Sequence, residues 1–220
     1  MSELNHPNLT PWGYMVDAQT IPDFLTAQEF AAFTNSKFGF DARIESNIPS
    51  ATAAIRNYCG WHISPELTCA MIYRIFDLRD AFVGHDVLIQ LPATYVTGIE
   101  KVIIGKGQTI DELAAEGDPV EYDLNPSGIL RLYDVFAYDR KTKVYIKYKA
   151  GLPDENITTI KELAANRVTH AVSNSYGIVS EAAGGVSVSY STAWAGNTRS
   201  TSLPDDSKEV LEVYKIKGVY

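Results

Sequence analysis

The sequence predicts an α+β fold in which a small helical bundle carries an inserted antiparallel β module. Helical patterns with recognisable starts occur before residue 60 and again after residue 158. Between them, from about residue 67 to 150, short β-type runs alternate with turn residues. Because no helical pattern separates these runs, βαβ units are excluded and the strands should pair antiparallel.

The composition favours a packed core and argues against several classes of partner. Of the 220 residues, 45% are hydrophobic and 21% are charged, which is ordinary for a globular protein. The formal net charge of -8 argues against a general nucleic-acid binder, because phosphate contacts need clustered Lys and Arg. No apolar run approaches the ~18 residues that span a bilayer, and residues 1–10 lack a signal-peptide pattern. We therefore expect no membrane partner.

Residues 1–25 are predicted to form an extended N-terminal arm. They contain Pro11 and Pro22 and show neither a helical nor an alternating period. The arm nevertheless carries Trp12 and Tyr14, an apolar content that a solvated tail does not favour. Such an arm either packs on a neighbour or stays loose. Ordering against a partner chain explains both features.

A first helix is predicted near 26–38, because Thr26 and Glu29 form a capping box and Phe30 supplies an apolar face.

The next helix has the clearest signal in the sequence. It is predicted at 47–59. Ser46 or Asn47 would cap its start, Pro49 would lie in its first turn, and Gly60 would end it.

The β module is predicted at 67–151. Its expected strands are 67–76, 87–91, 98–104, 120–124, 129–133 and 144–148, each bounded by turn residues. A long helix should follow at 159–183, because Thr159 and Glu162 form a second capping box. A strand at 186–190 and a final helix at 205–214 complete the predicted order. The helical body thus comprises 26–66 and 152–220.

The sequence contains no pattern typical of an enzyme or a metalloprotein. None of the four histidines has a second ligand at helical or CxxC spacing, and no nucleophile elbow or phosphate-binding loop is present. Cys59 and Cys69 are predicted to be buried free thiols. We expect no catalytic residue, no cofactor and no metal site.

Several tyrosines fall in the predicted strands, where every second side chain faces the same way. They are Tyr133, Tyr138, Tyr145 and Tyr148. Such a stripe is compatible with an aromatic platform for a sugar or single-stranded nucleic acid. Sheet core and protein interface is the favoured interpretation, because aromatic side chains bring large contact area at low entropic cost.

Two stretches resemble the head-to-tail connector proteins of tailed bacteriophages, also called adaptors or head-completion proteins. The first runs from Ile48 to Pro65 and includes the motif Arg56-Asn57-Tyr58-Cys59-Gly60-Trp61-His62. The second runs from Leu203 to Ile216, where an acidic turn precedes a short helix and a Tyr-basic pair. The order of the elements between them is similar to that of the family's longer members.

The resemblance implies a structural virion protein and not an enzyme. Its copies would form a closed ring, which the family resemblance implies to have about twelve subunits, beneath the portal protein of the phage head. The ring would join the portal to the tail or to the next neck protein, such as a tail terminator, and would extend the DNA channel without binding the DNA specifically. The implied location is the virion neck, with host cytoplasm during assembly.

Candidate partner-binding residues lie at the two ends of the chain. They are Trp12 and Tyr14 in the arm, and Tyr214, Ile216, Val219 and Tyr220 at the other end. The alternative function is a non-enzymatic binding module of a tail or surface component, which would recognise a carbohydrate or a protein through the tyrosine-rich sheet.

Overall fold

A computed structural model describes residues 9–38, 42–106, 112–113, 117–125, 127–135, 141–173, 180–183, 186–189 and 203–216. The chain divides into two compact units. The first, here called the β unit, comprises Met1–Ile21, Gly60–Pro153 and Ile216–Tyr220; the second, here called the helical unit, comprises Pro22–Cys59 and Asp154–Lys215. The predicted α+β class is confirmed.

The β unit contains two antiparallel sheets, so the predicted β module is confirmed as antiparallel. Its strands are β1 (Met15–Val16), β2 (Leu67–Arg74), β3 (Phe82–Val83), β4 (Asp86–Gln90), β5 (Val96–Gly105), β6 (Asp118–Pro119), β7 (Tyr122–Leu124), β8 (Ile129–Leu132) and β9 (Lys143–Ala150). One sheet has the order β1-β2-β9-β5-β6 and the other β3-β4-β8-β7. A 3-10 helix at Ile75–Ala81 connects β2 to β3.

The centre of the larger sheet is β9, which pairs with β2 on one side and β5 on the other. At mid-strand, Ile146 lies opposite Met71 of β2 and Val102 of β5, and all three are buried. On the opposite face, Tyr145 and Leu113 form a small buried cluster with Ile103 of β5. Apolar side chains therefore cover both faces of β9 at its middle, which explains why the strand sequence is rich in β-branched and aromatic residues.

The helical unit is built around two long helices. Its helices are α1 (Ala27–Phe33), α2 (Ala42–Cys59), α3 (Thr158–Ser173) and α4 (Asp205–Leu211), with 3-10 helices at Asp154–Asn156 and Glu212–Tyr214 and a hairpin of β10 (Ser180–Ala183) and β11 (Val186–Ser189). The most extensive packing is between α2 and α3; α1 packs on both, and α4 packs on α2. In the part of the chain that the structure describes, no helix has the length and hydropathy needed to cross a membrane.

The start of α2 differs from the prediction. The helix begins at Ala42, so Ser46 and Asn47 lie inside it and donate hydrogen bonds from their side chains to the Arg43 carbonyl, at 3.0 and 2.7 Å. Pro49 is an interior residue and not part of the first turn. A proline inside a helix costs about 3 kcal/mol. Burial of the helical stripe, which continues on both sides of Pro49, outweighs that cost; its members are Ile44, Ile48, Ala51 and Ile55.

Two predicted helix ends were also wrong. The first helix ends at Phe33 and not at residue 38, because the chain enters left-handed conformations at Asn35 and Ser36. The third helix was predicted to reach residue 183, but 180–183 form β10, whose Ala183 pairs with Val186 of β11. The sequence pair Gly184-Gly185 suits a two-residue hairpin connection as well as a helix stop. The predicted strand at 186–190 is confirmed over Val186–Ser189.

The predicted capping box at the start of α1 is confirmed. The Glu29 backbone N–H donates to Thr26 Oγ1 at 3.2 Å, and the Thr26 backbone N–H donates to Glu29 Oε2 at 2.7 Å. The other Glu29 oxygen accepts a hydrogen bond from Lys161 of α3 at 2.7 Å, and the same ammonium lies 2.6 Å from Asp154. Glu29 therefore both caps α1 and ties it to α3.

This ion pair predicts a specific dependence of stability on pH. The hydrogen bond from Lys161 lowers the pKa of Glu29, so the pair stabilises the fold above the ordinary glutamate pKa of about 4.3 and loses that contribution as the pH falls through the lowered value. We expect Lys161→Met to flatten the acid limb of a plot of unfolding free energy against pH, measured by urea denaturation. An acid limb unchanged by this substitution would contradict the assignment.

Candidate partner-binding surface

The C-terminal segment is anchored to the end of α2 by polar contacts within the helical unit. Tyr58 donates a hydrogen bond from its hydroxyl to Glu212 Oε1 at 2.8 Å, and Lys215 Nζ lies 3.1 Å from the same oxygen. The Lys215 ammonium also lies 4.9 Å from the centre of the Tyr58 ring. The hydrogen bond to Glu212 raises the pKa of Tyr58, and the same carboxylate raises the pKa of Lys215. Glu212 is thus the centre of the anchor.

Apolar packing lies behind these polar contacts. Leu211 is fully buried, and its carbonyl oxygen lies 3.9 Å from the Cys59 sulfur. Burial raises the pKa of the Cys59 thiol to about 12, and it does the same to Cys69 in the β unit. Neither thiol is ionised near neutral pH, so both behave as small apolar side chains. Both are free and buried, as predicted.

The contacts of Tyr58 and Cys59 bring together the two stretches that carry the resemblance. The end of α2 belongs to the first stretch, and α4 with the following 3-10 helix belongs to the second. They are about 150 residues apart in sequence, as the separation of 154 between Tyr58 and Glu212 shows. The residue types in these motifs are therefore explained in part by their contact with each other.

The outer side of α4 and its 3-10 continuation is apolar at its centre and acidic at its edge. Val210 is 40% exposed and Val213 is 73% exposed. Asp206 and Glu209 are exposed beside them. Sequence analysis did not select these four residues. The available signal was the spacing of Val210 and Val213, because residues three apart share one face of a helix and Leu211 already occupies the buried face.

The predicted partner-binding residues of the C-terminal end occupy different environments. Tyr214 and Ile216 are half-buried, so part of each side chain is exposed in the chain by itself. The Cδ1 atom of Ile216 would lie 3.6 Å from a β-carbon placed at Gly60, which has a left-handed φ of 82°. Val219 and Tyr220 lie outside the residues that the structure describes.

The predicted residues of the arm lie in the β unit. Residues Met15 and Val16 form the edge strand β1, which pairs with Ala70 and Cys69 of β2. Trp12 is half-buried and stacks on Tyr14, with ring centres 6.1 Å apart. Tyr14 has no exposed surface.

The buried Tyr14 side chain is held by His62. The Tyr14 hydroxyl lies 2.8 Å from His62 Nδ1 and also accepts a hydrogen bond from the His62 backbone N–H at 3.0 Å. His62 Nε2 lies 3.0 Å from the Ala150 carbonyl oxygen. Because a carbonyl can only accept, Nε2 carries the proton and Nδ1 accepts from Tyr14. Tyr14 therefore contributes to the core of its own chain, and among the described residues of the arm only Trp12 offers an accessible aromatic ring.

The tyrosine stripe does not form an exposed platform in the described residues. Tyr145 and Tyr148 are buried, and Tyr133 is half-buried beneath the Arg131 guanidinium, which lies 5.2 Å from its ring centre. Tyr138 lies outside the described residues. Stacking a sugar or a base requires an accessible ring face, so these side chains serve the sheet core.

Across the described residues, no group of three or more histidine, cysteine or acidic side chains is arranged to hold a metal ion. The chain presents α4 as a surface helix, whose inner side packs on α2 and whose outer side is partly apolar. Surfaces of this kind serve protein contacts more often than chemistry.

Comparison with known proteins identifies the family. The family model described as head completion protein matches residues 23–217, which include the four α-helices of the described residues and every described strand except β1. No curated protein matches the chain. Since the match covers most of the sequence, the chain belongs to the head completion protein family and is a structural protein of the bacteriophage virion.

Proposed function

We propose that copies of this chain form a ring beneath the portal protein of the phage head. The ring joins the portal to the tail or to the next neck protein, such as a tail terminator, and lengthens the channel through which the genome passes. The observation that supports this proposal is the anchored C-terminal segment. Two side chains near its end, Tyr214 and Ile216, keep part of their surface exposed although the segment is fixed to α2.

The anchor explains how the segment can serve as a portal contact. Glu212 holds the segment through Tyr58 and Lys215, so its backbone is ordered before any partner binds. A pre-ordered segment loses less conformational entropy on association than a loose one. We assign the portal contact to Tyr214, Ile216, Val219 and Tyr220, and a second contact to Trp12 of the arm.

The charge of the chain suits a channel through which DNA slides. With 27 acidic and 19 basic residues, the protein offers little net attraction for phosphate. The genome can then pass without specific binding. Assembly of the ring takes place in the host cytoplasm before the tail is joined to the head.

A short C-terminal truncation tests the portal contact. We expect removal of residues 217–220 to weaken binding of the purified chain to portal protein by about tenfold or more, because a few anchor residues supply most of the energy of an interface. Binding can be followed by co-sedimentation with portal rings. The circular dichroism spectrum and the unfolding midpoint should stay unchanged, since the contacts of Glu212 and Leu211 are retained.

Tyr58→Phe is the matched control for the anchor. It removes only the hydroxyl that bonds to Glu212 and leaves the exposed residues intact. Its portal affinity should lie between those of the full-length and truncated chains. A truncated chain that is folded and binds portal as well as the full-length chain would contradict the proposed portal contact.

A further inference from the structure

The outer side of α4 carries charges as well as exposed apolar surface. Asp206 and Glu209 make no ion pair with any described residue, whereas the neighbouring Asp205 pairs with Lys208 at 2.7 Å. Both residues share a face of this segment with Val210 and Val213, since the four are spaced three or four residues apart along it. We call these four residues the acidic patch. Its chemistry suits a partner surface with an apolar centre and a cationic edge.

A surface with that chemistry is present at the C-terminal end of α1, in the same unit. Phe33, the last residue of α1, is 39% exposed. Lys37 follows four residues later and is exposed. It makes no ion pair with any described residue, and its Nζ atom lies 5.9 Å from the centre of the Phe38 ring. We call Phe33 and Lys37 the basic patch. The two patches have matching apolar centres and opposite charges.

We propose that the acidic patch of one copy of this chain binds the basic patch of the next copy. In this contact Phe33 packs against Val210 and Val213, and Lys37 pairs with Glu209 or Asp206. The proposal rests on the ring described above and names the surfaces that build it. Phe33 belongs to α1, which packs on α2 and α3, and Lys37 lies in the turn that follows α1. The acidic patch lies on α4, which packs on α2, and on the 3-10 helix that follows α4.

The two patches are different surfaces, and that difference favours a ring. A contact between two identical patches closes a dimer, whereas a contact between two unlike patches repeats from copy to copy and closes into a ring when the rotation permits. The exposed valines and phenylalanine supply apolar area at the centre of the contact. The charges at the edge select the partner and its register more than they add affinity.

Charge exchange tests this contact directly in the full-length chain. Lys37→Glu and Glu209→Lys should each raise the concentration at which rings assemble by about tenfold, because each places like charges opposite one another. The double variant carrying both substitutions should assemble like the unmodified chain. Ring formation can be measured by sedimentation velocity and by negative-stain imaging in the presence of portal protein. Both residues are exposed, so the circular dichroism spectra should not change.

Val213→Asp is a second, independent variant. It removes the most exposed apolar side chain of the acidic patch and should prevent ring formation even in the charge-exchanged background. Single variants that assemble like the unmodified chain, or a double variant that fails to recover, would overturn the inference while leaving the ring itself intact. An unmodified chain that forms no ring even with portal protein present would instead overturn the proposed function, and this inference with it.

Discussion

Replacing Trp61 by alanine is expected to lower the unfolding free energy of the β unit by about 3 to 5 kcal/mol. Trp61 is fully buried and follows directly after Gly60, where α2 has ended. Its ring packs edge-on against His62, with ring centres 5.5 Å apart. Truncation removes a large apolar surface and leaves a cavity that the neighbouring residues can fill only in part. Urea denaturation followed by circular dichroism measures the loss.

Trp12→Ala is the matched comparison. Trp12 is half-buried in the same unit, so its truncation should cost clearly less than that of Trp61. The comparison separates burial from the general effect of removing a tryptophan. Equal losses for the two variants, or a loss below about 1 kcal/mol for Trp61→Ala, would contradict the position given to Trp61.

Tyr14→Phe is expected to cost about 1 to 3 kcal/mol. The substitution removes one oxygen atom but deprives two groups of His62, the Nδ1 atom and the backbone N–H, of the same partner. His62 is fully buried, so neither group can bind water instead. A buried polar group without a hydrogen-bond partner destabilises the fold, because its hydration is lost and not replaced. The change in unfolding free energy can be measured by the same urea titration.

Tyr148→Phe provides the control within the same sheet. The Tyr148 hydroxyl is buried and has no hydrogen-bond partner in the described part of the chain. Removing it should therefore leave stability unchanged or raise it slightly. If Tyr148→Phe lowered the unfolding free energy as much as Tyr14→Phe, the loss would come from removing a hydroxyl group in general. The hydrogen bonds of the Tyr14 hydroxyl would then not be its cause.

Local signals in the sequence predicted those elements whose cause is local. The capping box of Thr26 and Glu29 needs only four residues, and the longer strands β2, β4, β5 and β9 follow from side-chain patterns over five to ten residues. The two-residue strands β1, β3 and β6 were not predicted, because so short a segment carries no alternation. The predictions of the capping box and of the longer strands were confirmed because interactions between neighbouring residues determine these elements. The antiparallel arrangement was predicted because the sequence shows no helical pattern between the predicted strands.

Elements whose boundaries depend on tertiary packing could not be predicted in this way. Pro49 normally marks a first turn, but burial of Ile44 and Ile48 extends α2 towards the N-terminus. The pair Gly184-Gly185 fits a helix stop and a hairpin equally well, and pairing with Val186–Ser189 decides between them. In both cases the contact that determines the boundary involves residues beyond the short stretch of sequence on which the prediction was based.

The candidate surface was predicted only in part. The sequence pointed to the C-terminal segment through Tyr214, which follows the anchor residue Glu212 by two positions, and through Ile216. The sequence did not show that Tyr58, 154 residues before Glu212, would form a hydrogen bond with that segment. Tyr14 was selected for its apolar character, yet it is buried because His62 offers two polar groups to its hydroxyl. Composition alone does not separate a core aromatic from an interface aromatic.

Cryo-electron microscopy of the particle neck would show where this chain lies in the virion. We expect a ring of this chain between the portal and the tail, with Tyr214 and the residues after it against the portal, and with α4 of each copy against α1 of the next. Density for the chain elsewhere in the particle, or a neck in which these segments face solvent, would contradict it.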